Sequence, residues 1–238
     1  MRGNAAPSTV RTMTAIDTTR RANLEAAEAK GIAMFDAIER ANLIRPGMTE
    51  SELSEQINAF AAEHFGVKQH WHKRIVRTGA NTICLFNEMP DDRKIEADDL
   101  VFLDLGPVLE DWEADLGRTY ALGPDAEKKR LVADLPRVFD IVQAHYHATP
   151  EITAEELYAY ACETAEKAGW LFGGVIAGHT IEGHFPHAPV PYDGRLIAKG
   201  NPSRMRDPDA KGVERHWILE IHLVDKAKTY GGFYERLL

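Results

Sequence analysis

The sequence has few cysteines, no excess of basic residues and no long apolar run. Its 238 residues include two cysteines, Cys84 and Cys162, which exclude a disulfide framework or a zinc finger and favour a reducing compartment. The net charge of −9 makes nucleic acid and anionic membranes poor partners, because both require clustered Lys and Arg. No apolar stretch approaches the ~18 to 20 residues of a membrane span, and no secretory signal is visible. We therefore expect a soluble cytoplasmic protein.

Two motifs of common catalytic chemistries are also absent. The sequence has neither the Gly-x-Ser-x-Gly elbow of serine hydrolases nor a glycine-rich loop that cradles phosphate groups. The remaining candidates are acidic residues and histidines in segments that otherwise have the pattern of buried strands. Acidic residues and histidines are common metal ligands, so these candidates indicate a metal site.

The chain predicts one α/β domain in which pairs of helices alternate with groups of strands. We expect a mobile arm over residues 1–16 and a single domain over residues 17–238, because no linker composition divides the remainder. Helical periodicity begins at Asp17, and capping boxes at Thr49 and Thr153 open two further helices. Two helices, a strand cluster, two more helices and a final strand set indicate two architecturally similar halves.

Three local predictions concern the segments between these elements. Residues 74–79 and 82–86 predict two strands joined by a turn. Pro136 predicts that the helix following residue 125 is kinked or begins late. Residues 192–215 lack periodicity and predict a long loop that rims a site.

Two aspartates interrupt apolar strand patterns within residues 101–120. Asp104 and Asp115 are eleven residues apart with turn-forming residues between them, which fits neighbouring antiparallel strands that aim both side chains at one point. A buried carboxylate costs several kcal/mol unless it is paired, hydrogen-bonded or bound to a metal. A single Asp at a strand end more often caps a turn, so the pair requires further donors to indicate a metal site.

Such donors follow later in the chain. His179 comes directly after a glycine that lets the backbone approach closely, and His184 and His187 follow within nine residues. Glu220 and Glu235 each interrupt an apolar strand pattern, and their separation fits a second antiparallel pair. The acidic residues of the two halves thus follow a similar pattern.

The resulting donor set is rich in oxygen and has five members: Asp104, Asp115, His179, Glu220 and Glu235. This composition suits two divalent ions, Mn²⁺, Co²⁺, Zn²⁺ or Fe²⁺, that share a bridging carboxylate. Two such ions ~3.5 Å apart polarise a carbonyl and activate water, as amide hydrolysis requires. Two other histidines, His70 and His72, fit a cleft or, more commonly, the surface.

The order of these donors resembles that of the pita-bread metallopeptidases, the family of methionine aminopeptidase, aminopeptidase P and prolidase, with creatinase as a relative. The similarity runs from about residue 20 to the end. It includes the helix-linking segment Pro46-Gly-Met-Thr-Glu50 and the paired-Asp signature in Asp104-Leu-Gly and Asp115-Leu-Gly-Arg-Thr119. The resemblance implies an α/β (α+β) pita-bread fold, a curved antiparallel sheet of two pseudo-symmetric halves covered by helices. It also implies a Xaa-Pro aminopeptidase or dipeptidase acting on a peptide or small amide. Dimers are common among relatives, and composition leaves a homodimer open.

The resemblance implies a role for each donor. Asp104 would chelate one metal ion, Asp115 and Glu235 would bridge both, and His179 and Glu220 would complete the other. Glu220 would also act as general base toward the shared water.

Residues around the substrate depart from the family pattern. His187, or alternatively His184, would stabilise the tetrahedral oxyanion, and the Ala-Pro that follows favours His187. Phe86 lies near the place of a substrate-contacting histidine of the family, so we expect it in the substrate pocket. The family's Gly-His-Gly-Ile-Gly appears as Gly178-His-Thr-Ile-Glu182.

These changes leave open a creatinase-like hydrolase of a small non-peptide C–N bond. A non-catalytic binding protein on the same fold is a third alternative, which retention of all five donors disfavours.

Overall fold

Four α-helices and ten strands make up the regular structure of residues 15–187 and 194–238, the part of the chain that the computed structural model describes. The helices are α1 (Ala15–Arg40), α2 (Glu50–Phe65), α3 (Ala126–Ala148) and α4 (Ala154–Lys167). The strands are β1 (Ile75–Thr78), β2 (Leu100–Leu105), β3 (Val108–Leu109), β4 (Trp112–Glu113), β5 (Leu116–Ala121), β6 (Leu171–Phe172), β7 (Ile176–Ile181), β8 (Leu196–Ala198), β9 (His216–Val224) and β10 (Gly231–Leu237). Residues 1–14 of the expected N-terminal arm lie outside the described residues.

Both predicted capping boxes are present. The Thr49 side chain accepts a hydrogen bond from the backbone N–H of Glu52, whose side chain accepts one from the Thr49 N–H. Thr153 and Glu156 form the same reciprocal pair at the start of α4. Each box satisfies two N–H groups that a helix start leaves without partners, so these boundaries follow from local sequence.

The main sheet is antiparallel and contains residues from both halves of the chain. Its strand order is β1-β2-β5-β10-β9-β7-β8, with β6 paired to β9 outside this path. Strands β3 and β4 form a separate small hairpin between β2 and β5. The first half contributes β1, β2 and β5, and the second contributes β7, β9 and β10. The two halves meet where β5 pairs with β10.

Alternation along the strands separates an apolar face from a polar one. In β9, Trp217, Leu219, Ile221 and Leu223 pack into the core cluster that holds α3 and α4. In β2, Val101, Leu103 and Leu105 pack into the cluster that holds α1 and α2. Because successive strand residues point to opposite faces, Asp104 and Glu220 face away from these clusters. The helices therefore cover the apolar side and leave the acidic residues on the other.

The predicted strand over residues 82–86 is wrong. Gly79–Ile83 forms a short 3₁₀ helix instead. Gly79 has a φ of 52°, and the Thr82 hydroxyl donates to the Gly79 carbonyl at 2.6 Å. The Asn81 side chain donates to Glu50 Oε2 at 2.9 Å. These side-chain hydrogen bonds compete with a strand ladder and explain the turn.

Two other local predictions need correction. Helix α3 begins at Ala126, where Asp125 accepts hydrogen bonds from the next turn, and it continues past Pro136, so the late start is wrong. The region 192–215 is not entirely loop, because β8 lies within it and pairs with β7. Helix α1 begins at Ala15, two residues before the expected Asp17.

The described part of the chain contains no helix that combines the length and the apolarity needed to cross a membrane.

Candidate metal centre

Strand register brings the acidic residues of the two halves into one row. Asp104 in β2 is paired with Gly117 in β5, and Gly117 is paired with Glu235 in β10. Glu235 is in turn paired with Glu220 in β9. Asp115 directly precedes β5, two residues from Gly117. The antiparallel pairing of both acidic pairs, expected from their spacing, therefore places all four carboxylates at the centre of the sheet.

A β-bulge turns His179 toward this row. The pairing of β7 with β8 shifts register between Ile176 and His179, and Gly178 has a φ of 134°. A Cβ at this position would lie 2.0 Å from the Ile218 carbonyl oxygen, so only glycine fits. Ala177 packs into the helix-side core, whereas His179 contacts the carboxylates. Bulges commonly re-aim a side chain beside a functional site.

Asp115 lies at the centre of the donor cluster. His179 Nε2 is 3.3 Å from Asp115 Oδ2, 3.5 Å from Glu220 Oε1 and 4.0 Å from Glu235 Oε1. The structure thus brings together all five predicted donors, because Asp104 joins the same cluster from β2. The groups Asp115, His179 and Glu235, and His72, Asp104 and Asp115, each have donor atoms close enough together to hold a metal ion.

The cluster includes a histidine that the sequence did not assign to it. His72 Nε2 is 3.0 Å from Asp115 Oδ1 and 3.7 Å from Asp104 Oδ1, and its side chain is 11% exposed. Of the two positions considered for His72, the cleft is therefore correct and the surface is wrong. The residue lies 32 positions before Asp104, outside any strand. Its alternation with His70 was the one local signal, and it did not distinguish a cleft from the surface.

Two oxygens of the cluster support cation binding. Among the described residues, Asp115 Oδ2 and Glu235 Oε2 are buried side-chain atoms that make no hydrogen bond, although Asp115 Oδ2 is near His179. A buried carboxylate oxygen without a donor is costly unless a cation compensates it. The donor chemistry, carboxylates with imidazole nitrogen, is that of borderline-hard divalent ions. The residues present therefore fit a metal centre.

Burial and the neighbouring charges strongly shift the pKa values of the four carboxyl groups. Burial raises the pKa of Asp104 and of Glu220 to about 7 in each case, although neighbouring histidines oppose the rise. Burial, with the charges of Asp115 and Asp104, raises the pKa of Glu235 well above its usual range. Burial would also raise the pKa of Asp115, but the adjacent His72 and His179 lower it to about 2. Of the four carboxyl groups, Asp115 is thus the one whose pKa is lowered.

The pKa values of His72 and His179 are raised by the neighbouring carboxylates. Burial alone would lower the pKa of His72, but the charges of Asp115 and Asp104 raise it to about 9. For His179, burial is likewise outweighed by the adjacent Asp115 carboxylate and by the charge of Glu220, and the pKa rises to about 9. Both rings therefore stabilise negative charge at this point of the sheet.

The two candidate oxyanion histidines lie in different surroundings. His187 Nε2 is 2.8 Å from Glu113 Oε1, and Glu113 Oε2 accepts a hydrogen bond from the Gly183 N–H at 2.9 Å. Glu113 is 1% exposed and lies two residues before Asp115. His184 is exposed, and its ring contacts Trp112 edge-on at 5.6 Å. Both histidines are exposed, and the ion pair with the buried Glu113 distinguishes His187 from His184.

Phe86 lies beside the cluster rather than in it. Its side chain is 47% exposed, its ring is 6.0 Å from the His72 ring, and Lys73 Nζ lies 4.4 Å above it. An aromatic surface next to polar donors can contact a substrate.

Fold and site together define a class: a metallohydrolase-type centre of carboxylates and histidines on the open face of an antiparallel sheet. The sequence comparison is more specific. Residues 22–206 match the model of metallopeptidase family M24, so the chain belongs to this family. The expected membership and fold class are confirmed, and solved relatives share the architecture.

Two curated relatives show how far the sequence similarity extends. The Xaa-Pro dipeptidase of Lactobacillus helveticus is 32% identical over 137 residues, which cover 57% of this chain and 35% of that protein. The Xaa-Pro dipeptidase of Pyrococcus furiosus is 28% identical over 150 residues, covering 61% of this chain and 40% of that protein. The chain thus matches well under half the length of these relatives.

Solved structures extend the similarity to nearly the whole chain. An X-Pro aminopeptidase from Thermotoga maritima has a TM-score of 0.70 at 20% identity, covering 92% of this chain and 57% of that one. A methionine aminopeptidase from Rickettsia prowazekii has a TM-score of 0.63 at 18% identity, covering 96% of this chain and 95% of that one. At these identities the comparison shows the fold.

Proposed function

We propose that this protein is a metallopeptidase that uses two divalent cations to hydrolyse an N-terminal peptide bond, with Xaa-Pro peptides as the preferred substrates. The observation that carries the proposal is that the five donors lie in one cluster, in which the buried oxygens Asp115 Oδ2 and Glu235 Oε2 make no hydrogen bond. The sequence similarity to Xaa-Pro dipeptidases supports the substrate class.

Each donor has a position that suits its proposed task. Asp104 would hold one cation, His179 and Glu220 the other, and Asp115 and Glu235 both. A pair of Mn²⁺, Co²⁺, Zn²⁺ or Fe²⁺ ions would polarise the scissile carbonyl and acidify a water molecule when bound.

Glu220 is the best placed of these residues to exchange a proton. Its side chain is 15% exposed, against 2% for Asp115 and 3% for Glu235. An oxygen of Glu220 can therefore face an incoming water, accept its proton and pass that proton to the leaving amine.

His187 would bind the carbonyl oxygen as charge develops on it. Glu113 is 2.8 Å from His187 Nε2, and a carboxylate at this distance stabilises the charged imidazolium. The positive charge of this imidazolium would then stabilise the oxyanion. Phe86, at the edge of the cluster, would contact the apolar part of the substrate.

The decisive variant is Glu220→Gln, which keeps the size of the side chain and removes its basicity. We expect kcat on an Ala-Pro dipeptide or an Ala-Pro-Xaa peptide to fall at least ~100-fold, as loss of a general base predicts. Glu163→Gln is a matched control, because Glu163 is exposed on α4 and forms a surface ion pair with Lys167. Unchanged turnover in the Glu220 variant would remove the assigned role.

A second candidate function is supported by the altered surroundings of Phe86 and His179. Thr180 and Glu182 are bound by Arg195, whose Nε donates to Thr180 Oγ1 and whose Nη2 donates to Glu182 Oε1, both at 2.5 Å. This network replaces two small glycines of the family and alters the pocket wall. A creatinase-like enzyme would cleave a small amidine or amide and leave Xaa-Pro peptides intact. Parallel assays on both substrate classes separate the two functions.

The proposed setting is a cytoplasmic enzyme that forms a homodimer. Cys84 and Cys162 are free thiols, which supports a reducing compartment. Light scattering of the purified protein tests the dimer, and cell fractionation tests the location.

A further inference from the structure

We propose that His72 is a sixth metal ligand, providing nitrogen to the cation held by Asp104 and Asp115. The inference rests on the proposed metal centre and extends it by a residue from outside the sheet. His72 Nε2 lies 3.0 Å from Asp115 Oδ1 and 3.7 Å from Asp104 Oδ1. Ligand atoms that share one ion at bond lengths of ~2.0 to 2.2 Å are about 2.8 to 3.6 Å apart, so the three atoms are spaced nearly as ligands of one ion.

The two histidines of the cluster are arranged alike around Asp115. His72 approaches Oδ1 and His179 approaches Oδ2, so each oxygen of the central carboxylate has an imidazole nitrogen beside it. A bridging carboxylate places one oxygen on each cation. The arrangement therefore assigns one histidine to each cation, His72 on the Asp104 side and His179 on the Glu220 side.

Both rings also make the same outer contact. His72 Nδ1 lies 2.8 Å from the carbonyl oxygen of Lys73, and His179 Nδ1 lies 3.1 Å from that of Thr180. A carbonyl only accepts, so Nδ1 carries the proton in each ring and Nε2 faces the carboxylates. Metal-binding histidines typically hold their second nitrogen in this way, which fixes the tautomer and the ring orientation.

The segment before β1 holds His72 rigidly over the cluster. The Trp71 backbone N–H donates to the Gly106 carbonyl at 2.9 Å, and the Trp71 indole donates to the Ala114 carbonyl at 2.9 Å. The His72 ring occupies the space above Gly106, where a Cβ would lie 2.2 Å from its Cδ2 and 2.3 Å from its Nε2. A side chain already held in the binding orientation loses little conformational freedom when a cation arrives.

The test measures metal binding rather than turnover. Isothermal titration of the metal-free protein with Zn²⁺ should give two sites for the unchanged chain. For His72→Gln, we expect affinity at one site to fall at least ~10- to 100-fold, the loss typical even of outer contacts to a metal ligand. His70→Gln is the matched control, because His70 lies in the same segment but belongs to neither donor group. It should bind Zn²⁺ like the unchanged chain.

Nuclear magnetic resonance of the unchanged chain labelled with ¹⁵N-histidine provides a readout independent of any variant's folding. Of its ten histidines, two should shift their Nε2 signals on Zn²⁺ addition, those of His72 and His179. Two Zn²⁺ sites with only the His179 signal shifted, and full affinity in the His72 variant, would overturn this inference alone. An unchanged chain that binds no Zn²⁺ would overturn the proposed function as well.

Discussion

Gly117 lies within the row of acidic residues, and replacing it with alanine tests the strand packing most directly. It lies in β5 with Asp104 on one side and Glu235 on the other. A Cβ added there would lie 2.5 Å from Phe233 Cδ1, 2.6 Å from Phe233 Cε1 and 3.0 Å from Glu235 Cβ. Carbon atoms in contact prefer about 3.5 to 4.0 Å, so Phe233 and β10 would both have to move.

The size of the effect follows from two opposing contributions. Overpacking costs about 1 to 3 kcal/mol, because Phe233 is buried against Phe102 with ring centroids 5.5 Å apart and has little room to turn. Removing a glycine from a strand recovers about 0.5 to 1 kcal/mol. We expect Gly117→Ala to lose about 0.5 to 2 kcal/mol of unfolding free energy, or roughly 1 to 8 °C in Tm. The shift of Glu235 should weaken Zn²⁺ binding about 10-fold or more.

Thermal unfolding and Zn²⁺ titration measure the two effects separately. Gly200→Ala is the control, because its Cβ would meet nothing within 4 Å but its φ of 80° strains an alanine. The control should lose stability and keep its metal affinity. A Gly117 variant with unchanged Tm and unchanged affinity would show that β5 and β10 are not packed as described.

Three further outcomes are expected. Chelation of bound metal should abolish activity. It should also lower Tm by roughly 5 to 11 °C relative to protein with free metal at 100 times its Kd, because metal binding at that concentration adds about 2.7 kcal/mol to the free energy of unfolding. An unchanged Tm in a fluorescence melt would contradict this. Glu113→Gln should lower kcat about 10-fold with KM unchanged, since His187 would lose its charged partner, and equal kcat in steady-state kinetics would refute the positioning role. Burial would raise the pKa of Asp225, but hydrogen bonds from the N–H groups of Tyr230, Thr229 and Ala227 lower it. Its contribution to stability is present above pH ~4 and disappears as the pH falls through the lowered pKa, so Asp225→Asn should cost about 1 to 2 kcal/mol at pH 7 and less at pH 3 in urea unfolding.

Elements that are stabilised by residues close in sequence could be predicted from the sequence. The helix starts at Thr49 and Thr153 depend on hydrogen bonds to residues three positions along the chain, so a short motif predicts them. The antiparallel partners of Asp104 and Glu220 followed from strand pattern and spacing, because a carboxylate interrupting an apolar strand is conspicuous wherever it occurs. The 3₁₀ helix at Gly79–Ile83 was missed, since one of its hydrogen bonds is donated by Asn81 to Glu50, which lies in another helix.

The sequence alone indicated the capped helices and the five candidate donors on or beside strands, because each leaves a periodic or short-range pattern, and the resemblance to a known family implied the fold class. Tertiary structure decided which other residues lie next to those donors. It brought His72 from an irregular segment onto Asp115, joined Glu113 to His187 and left Phe86 at the edge of the cluster. Such contacts connect residues 14 to 74 positions apart, and their partners are set by chain packing over that distance rather than by any local preference.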